Sequence, residues 1–242
     1  MALHFLVESS TDAAVGDLVS LTGAEAKHAA VVRRLRVGEA VTVGDGAGVW
    51  LAGTAEEVSP ARVDVRIAER VEHPAPTPRI VLVQALAKGD RDELAVQAAC
   101  ELGVDEIVPW QASRSVSRWE GPKAAKGRER WATIVREAAK QAHRAWLPDV
   151  VAPVSTTQLA ERAREQRVLL LDPTAPVRLS EIEPDDRDLV LVVGPEGGIS
   201  EEELRRLTEA GAERVLLGDT VLRTSTAGPA AIAVLSVALG RW

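Results

Sequence analysis

Between the two halves of this chain stands HPAPTP, His73 to Pro78. Three prolines in six residues fit neither a helix interior nor a central strand, because each removes a backbone donor and fixes φ. The stretch reads as a short stiff linker. No helix or strand is expected to cross it. The 242 residues therefore divide into a domain at 1–72, a linker at 73–78 and a domain at 79–242.

The two sides carry different hydrophobic periods. Before the linker, HFLVE, LVSLTG, EAVTVGDG, WLAGTAEEV and ARVDVRIAERV are short and often alternating, and Gly, Asp or Ser separates them. GDGAG, Gly44 to Gly48, is a hairpin signal, since Asp-Gly suits positive φ. One helical piece interrupts at about Ala24 to Leu35. A small β-barrel is the expected form. After the linker, the apolar runs IVLVQAL, EIVPW, RVLLLD, LVLVVG and RVLLG alternate with amphipathic segments. Continuous apolar runs are what strands covered on both faces require. Strand–helix alternation predicts an α/β domain with a mainly parallel sheet.

The helices are expected at Asp92–Leu102, Lys123–Trp146, after Ser200, and at Ala227–Leu239. In the first, Leu94, Ala98 and Leu102 fall at i+4 steps, and Gly103 suits a C-terminal cap. Ser200 with Glu203 forms a capping box, and Gly211 ends that helix.

Net charge is −7, but its distribution is uneven. From Trp110 to Val150, nine Lys/Arg face four acids, so that segment is +5. Within it Arg136, Lys140 and Arg144 stand at i, i+4 and i+8, a basic stripe on the expected helix. A second cluster is KHAAVVRRLR, Lys27 to Arg36. Local fields, not the sum, decide where an anionic polymer docks. The four histidines lack metal-ligand spacing, so no metal site is expected. One cysteine, Cys100, excludes an internal disulfide and reads as buried core. With no membrane-span or signal-peptide pattern, a cytoplasmic location is expected.

Two strand-end loops carry the chemistry. VVGPEGGIS, Val192 to Ser200, brings an apolar strand to a glycine-rich turn at a helix start. Ligands in open α/β sheets bind beyond the carboxyl ends of the strands. Glu201, Glu202 and Glu203 in the helix's first turn oppose an anion, so a neutral or cationic ligand fits better than a phosphate. LLGDTVLRTSTAGPAAIAV, Leu216 to Val234, holds a second such loop, with Arg223, Thr224, Ser225 and Thr226 between two apolar elements. Together they predict one shared pocket.

These pieces, in this order, resemble the SPOUT superfamily of knotted methyltransferases. More closely they resemble the RsmE family, which methylates a uridine of bacterial small-subunit ribosomal RNA at N3. The resemblance rests on HAAVVRRLRVGEAV with GDGAG, AKGDRDELAVQAACELGVDEIVPWQASRSV, RWATIVREAAKQAHR, LVVGPEGGISEEEL and LLGDTVLRTSTA. It implies an N-terminal PUA-like β-barrel that helps bind RNA, and a C-terminal α/β domain closed by a deep trefoil knot. It also implies a homodimer that acts on 16S rRNA or the 30S subunit.

The implied cofactor is S-adenosyl-L-methionine. By position its site would comprise Leu171, Gly194, Pro195, Glu196, Gly197, Gly198, Leu217, Gly218, Val221, Leu222, Thr224 and Thr226. Arg223 and Arg144 would stabilise a deprotonated uridine or grip its phosphate, and Glu196 is a candidate base or loop-ordering residue. RNA contact would fall to His28, Arg33, Arg34, Arg114, Arg136, Lys140 and Arg144. The chain departs from the pattern at Ser225, where many relatives have Glu, at His143-Arg144-Ala145-Trp146, where many have Gly-Arg-Asn-Arg, and at His4, where the family has an early arginine. A SPOUT enzyme acting on another rRNA or tRNA site, and a non-catalytic RNA-binding protein, share most of these features.

Overall fold

A computed structural model describes residues 2–7 and 12–242. The chain groups into two compact units, Met1–Ala75 with Ala139–Leu147, and Pro76–Ala138 with Pro148–Trp242.

The first unit contains β1 (Leu3–Leu6), β2 (Leu18–Thr22), α1 (Gly23–Lys27), β3 (Ala40–Gly44), β4 (Val49–Val58) and β5 (Arg62–Glu72). Its sheet runs β1-β3-β4-β5-β2, with β1 and β3 parallel and the other pairs antiparallel. Phe5, Leu21, Leu51, Val63, Val65 and Ile67 point into one core that the sheet curls around. The expected hairpin forms: Asp45 accepts from the amides of Ala47 and Val49, and Gly46 and Gly48 take positive φ. Irregularities after Ala52 and after Ala55 break the β4–β5 register. Such bulges bend a long strand and let it wrap. At the first of them a Cβ on Gly53 would run into the Arg66 carbonyl oxygen. Gly53→Ala is therefore expected to destabilise this unit by about 1–3 kcal/mol, read as a lowered thermal midpoint; an unchanged midpoint would remove the bulge from the account.

The helix expected over Ala24–Leu35 is shorter. α1 stops at Lys27, a wider π-type turn covers His28–Val32, and Arg34 takes a left-handed φ of 54°. The amide of Leu35 reaches back to the carbonyl of Ala29 at 3.0 Å. This widening keeps Ala26, Ala29 and Leu35 in the core and turns Val31, Val32, Arg33, Arg34 and Arg36 outward. At the early position where the family pattern has arginine, His4 stacks on Trp50 at 4.2 Å. Burial, with the nearby charges of His143 and Lys140, lowers its pKa to about 4, so the ring is neutral at pH 7.

The second unit holds β6 (Ile80–Ala85), α2 (Arg91–Glu101), β7 (Glu106–Trp110), most of α3 (Pro122–Gln141), β8 (Asp149–Val150), α4 (Thr156–Arg162), β9 (Arg167–Leu171), β10 (Val177–Arg178), β11 (Leu189–Val193), α5 (Glu201–Glu209), β12 (Glu213–Leu216) and α6 (Thr224–Ala238). The sheet order is β10-β12-β9-β11-β6-β7-β8, and every pair is parallel. Every residue of β6, β7 and β11 is buried, which is why these strands read as unbroken apolar runs. The edge strands β8 and β10 have two residues each, too few to leave a periodic signal.

Two helices differ from their expected form. In α2 the buried face is Ala95, Val96, Ala99 and Cys100, while Leu94 is 55% exposed. Small residues let α2 pack closely against α6, so the larger leucine is left outside. α3 ends at Gln141 rather than Trp146, and His143 takes a left-handed φ of 54°. No helix among the described residues is long and apolar enough to cross a membrane.

Candidate active site

Parallel strands deliver their carboxyl ends to one edge of the sheet, and three loops meet there. β9 runs into Asp172-Pro173-Thr174, β11 into Gly194-Pro195-Glu196-Gly197-Gly198, and β12 into Leu217–Arg223. They surround a cavity of about 700 Å³, within the usual range for a small-molecule site. A smaller recess of about 80 Å³ shares Leu171, Val221 and Leu222 with it and continues past Leu217 and Gly218. Leu171, Val193, Leu204 and Leu222 give the cavity apolar walls, and Asp172, Glu196 and Glu201 bring carboxylates to it.

Each carboxylate near the cavity has a distinct local role. Partial burial pushes the Glu196 carboxyl up. Hydrogen bonds from its own amide, the Lys88 amide and the Arg91 guanidinium outweigh that and hold it below the ordinary value. The Lys88 and Arg91 bonds are both 3.0 Å. An ionised, doubly held carboxylate ties the GPEGG loop to the start of α2 and is a poor proton acceptor. Glu196→Gln is therefore expected to leave the pH profile of the reaction in place near neutrality, because the group is already ionised above its lowered pKa; a lost acidic limb in that profile would restore Glu196 as the base.

Asp172 is buried, which pushes its pKa up, but Thr174 and Arg214 hold it low; the Arg214 Nε bond is 2.6 Å. Glu203, 5% exposed, accepts from the Ser113 amide at 2.8 Å, from the Ser113 hydroxyl at 2.7 Å and from Thr156 at 3.0 Å. Burial raises its pKa, and these bonds with Ser200 bring it below the ordinary value. The expected capping box at Ser200 forms, and its glutamate also clamps the loop after β7. One residue on, Arg114 donates to the Gly197 carbonyl at 3.0 Å.

The model of the RNA methyltransferase domain matches residues 73–236, and that of the RNA methyltransferase PUA domain matches residues 21–67. A ribosomal RNA small subunit methyltransferase E from Mycobacterium bovis is 41% identical, covering 100% of this chain and 94% of its own. The chain belongs to the ribosomal RNA small subunit methyltransferase E family. A second family member, from Bacillus subtilis, is 32% identical over 90% of this chain and 89% of its own. The crystal structure of the Neisseria gonorrhoeae member, bound to S-adenosyl methionine, superposes with a TM-score of 0.87 at 29% identity, covering 98% of each chain.

Against this family frame the expected site residues fall into groups. Leu171, Gly194, Pro195, Glu196, Gly198, Leu217, Gly218, Val221, Leu222 and Thr224 line the cavity or its recess, and so does Arg223. Gly197 and Thr226 are not among the lining residues; Gly197 faces Arg114. Arg114, expected at the RNA, stands in the cavity wall. In the first unit, Arg33 and Arg34 are exposed, and the His28 ring meets Phe5 edge-on with centroids 6.3 Å apart.

The basic stripe does not form. Lys140 is only 9% exposed and its amino group lies 3.1 Å from Glu25, so it is not available to a polyanion. Arg144 follows the helix end and sits in a turn whose amide bonds the Ala139 carbonyl. Arg136 stays on α3, half-buried. Cys100 is buried as expected. The Asp172-Pro173-Thr174 turn and Arg91 were missed as wall residues. The first had a signal, since RVLLLDPT is another apolar strand ending in a turn; Arg91 had none.

Proposed function

We propose that this chain transfers a methyl group from S-adenosylmethionine to N3 of a uridine in 16S rRNA, as a homodimer in the cytoplasm. The observation that carries the reading is the cavity between the GPEGG loop and the Leu217–Arg223 segment, apolar in its walls and with both carboxylates and guanidinium groups around it. Those walls suit the adenosine and methionine parts of the cofactor. Glu201 in the first turn of α5 suits a cation, and Arg223 with the start of α6 stands across the same cavity.

Bound there, the cofactor supplies an electrophilic methyl on a sulfonium. The chain's own work is to orient, to neutralise and to exclude water. Uridine N3 lies on the base-pairing edge, so the base must enter unpaired or extruded. Its N3 proton must pass to solvent water, and the charge left behind spreads to the flanking carbonyl oxygens. Arg223 stands at the N-cap of α6 and on the cavity wall, which supports a role for its cation in stabilising that charge.

The knot belongs to this reading. β12 lies beyond β9, yet α6, starting at Thr224, packs against α2, β6 and β11. The segment between them crosses back over the strand ends beside the GPEGG loop, where a trefoil knot would thread. The dimer is supported by apolar side chains left outside on helices that pack together, Leu94 at 55% and Val237 at 63% exposure. Arg33 and Arg34 on the first unit, with Arg114, Arg136 and Arg144, supply candidate phosphate contacts.

The test is transfer of label from methyl-tritiated S-adenosylmethionine to small subunits, or free 16S rRNA, from a strain lacking this enzyme. Label in one uridine, mapped as N3-methyluridine, is the expected result. No label in either substrate would end the reading.

A further inference from the structure

The strand β6 reads IVLVQA, and Gln84 is its one polar side chain. It lies in the middle of the sheet, opposite Val193 of β11 and Pro109 of β7, and has no solvent exposure. Its Nε2 donates to the Thr224 hydroxyl at 2.9 Å and to the Ala85 carbonyl at 3.1 Å. Its Oε1 is buried and has no hydrogen-bond partner among the described residues. A buried amide with an unmet acceptor weakens a fold relative to an apolar residue of similar size. Packing alone gives no reason for a glutamine here.

The reason lies one bond further on. The Thr224 hydroxyl accepts from Gln84 and donates to the Gly194 carbonyl at 2.9 Å. Gly194 opens the GPEGG loop, and Thr224 opens α6 directly after the other cofactor loop. The chain of bonds has a direction. Because Nε2–H points at the hydroxyl oxygen, the hydroxyl proton is left for Gly194. With the amide reversed, Oε1 would take that proton and the Gly194 carbonyl would lose its donor.

The backbone on either side of these bonds is closely packed. A Cβ on Gly194 would lie 2.8 Å from Ile199, and one on Gly228, a turn into α6, 2.9 Å from Leu82.

We infer that Gln84 and Thr224 form a polar clip that fixes the spacing between the two cofactor loops and so sets affinity for S-adenosylmethionine. Gln84 does not line the cavity; it is a positioning residue that acts through Thr224. The inference rests on the proposed cofactor.

The experiment measures S-adenosylmethionine binding by calorimetry and thermal midpoint for the full-length wild type, Thr224→Val, Thr224→Ser, Gln84→Met and the Thr224→Val/Gln84→Met double variant. Thr224→Val keeps shape but loses the hydroxyl, and is expected to raise Kd about tenfold. Thr224→Ser keeps the hydroxyl and is expected to stay within about threefold of wild type. Gln84→Met is expected to raise Kd while its thermal midpoint holds or rises, because an unmet polar atom is gone. The double variant should bind no worse than the weaker single one, since both break one chain of bonds.

A purely structural role would make Kd and midpoint worsen together and would favour Val over Ser; either result overturns the clip. So does wild-type affinity in Gln84→Met. If wild type binds S-adenosylmethionine and the variants bind equally well, only the clip fails. If wild type itself does not bind, the cofactor reading falls and the clip falls with it.

Discussion

Gly194→Val is expected to weaken S-adenosylmethionine binding by at least about a hundredfold while the protein remains folded. A Cβ at this position would lie 2.8 Å from Ile199 Cγ1 and 3.1 Å from the Ile199 amide nitrogen, and valine adds two further methyl groups. Gly194 also lines the cavity, so any relief by rotation pushes atoms into the ligand volume. A hundredfold rise in Kd corresponds to about 2.8 kcal/mol, the loss expected when the valine methyl groups take up ligand volume. The residue begins a loop and not a strand centre, so the thermal midpoint should fall far less than binding. Calorimetry and a melting curve on the same sample decide it: Kd within threefold of wild type would remove the GPEGG loop from the cofactor site. Gly198, by contrast, has φ +70° and open space beyond it, so a substitution there strains the backbone without meeting a neighbouring atom.

Arg223→Ala should lower kcat by about 10²–10³ with little change in cofactor affinity. This is the usual effect of removing one preorganised group aimed at developing charge. The Arg223 side chain makes no hydrogen bond or ion pair among the described residues, so its charge is not committed elsewhere. The pH dependence carries a second signature. If the cation favours N3-deprotonated uridine, its removal raises the substrate's apparent pKa in the complex, and the variant's rate should climb with pH where wild type has levelled. Arg223→Lys should restore part of the rate through charge alone. Single-turnover kinetics across pH would test both; an equal fall at every pH, not repaired by lysine, would make Arg223 a packing residue at the helix cap.

The positions that matter to these experiments were legible to different degrees. Both glycine-rich loops were readable because apolar strands must end somewhere, and a strand that ends in Gly-Pro or Gly-Asp before a helix marks the ligand edge of a parallel sheet. The capping box at Ser200 and Glu203 was readable because it is a local hydrogen-bond pattern at fixed spacing. The buried face of α2 was not, since Ala95, Ala99 and Cys100 are chosen by the close approach of α6, from more than a hundred residues away. Leu94 looked like core by size and spacing and stands exposed for the same reason.

Charge was the least legible quantity. Arg136, Lys140 and Arg144 have ideal spacing for a stripe, yet α3 ends at Gln141 and Lys140 turns to Glu25, a partner 115 residues away in the chain. Glu196 read as a candidate base or a loop-ordering residue; its amide and guanidinium donors come from Lys88 and Arg91, and they favour the second.

The sequence by itself determined what depends on short-range chemistry: the break at the prolines, the change of hydrophobic period across it, the parallel strands, the helix caps, and which loops face the ligand edge. Tertiary structure alone decided which strand end meets which. Gln84, Thr224 and Gly194 are scattered over 140 residues and become neighbours only because β12 and α6 lie on different sides of the strands between them. A hydrogen bond acts over about 3 Å and is indifferent to sequence separation, so bonds that join distant segments leave no periodic trace in the chain that makes them.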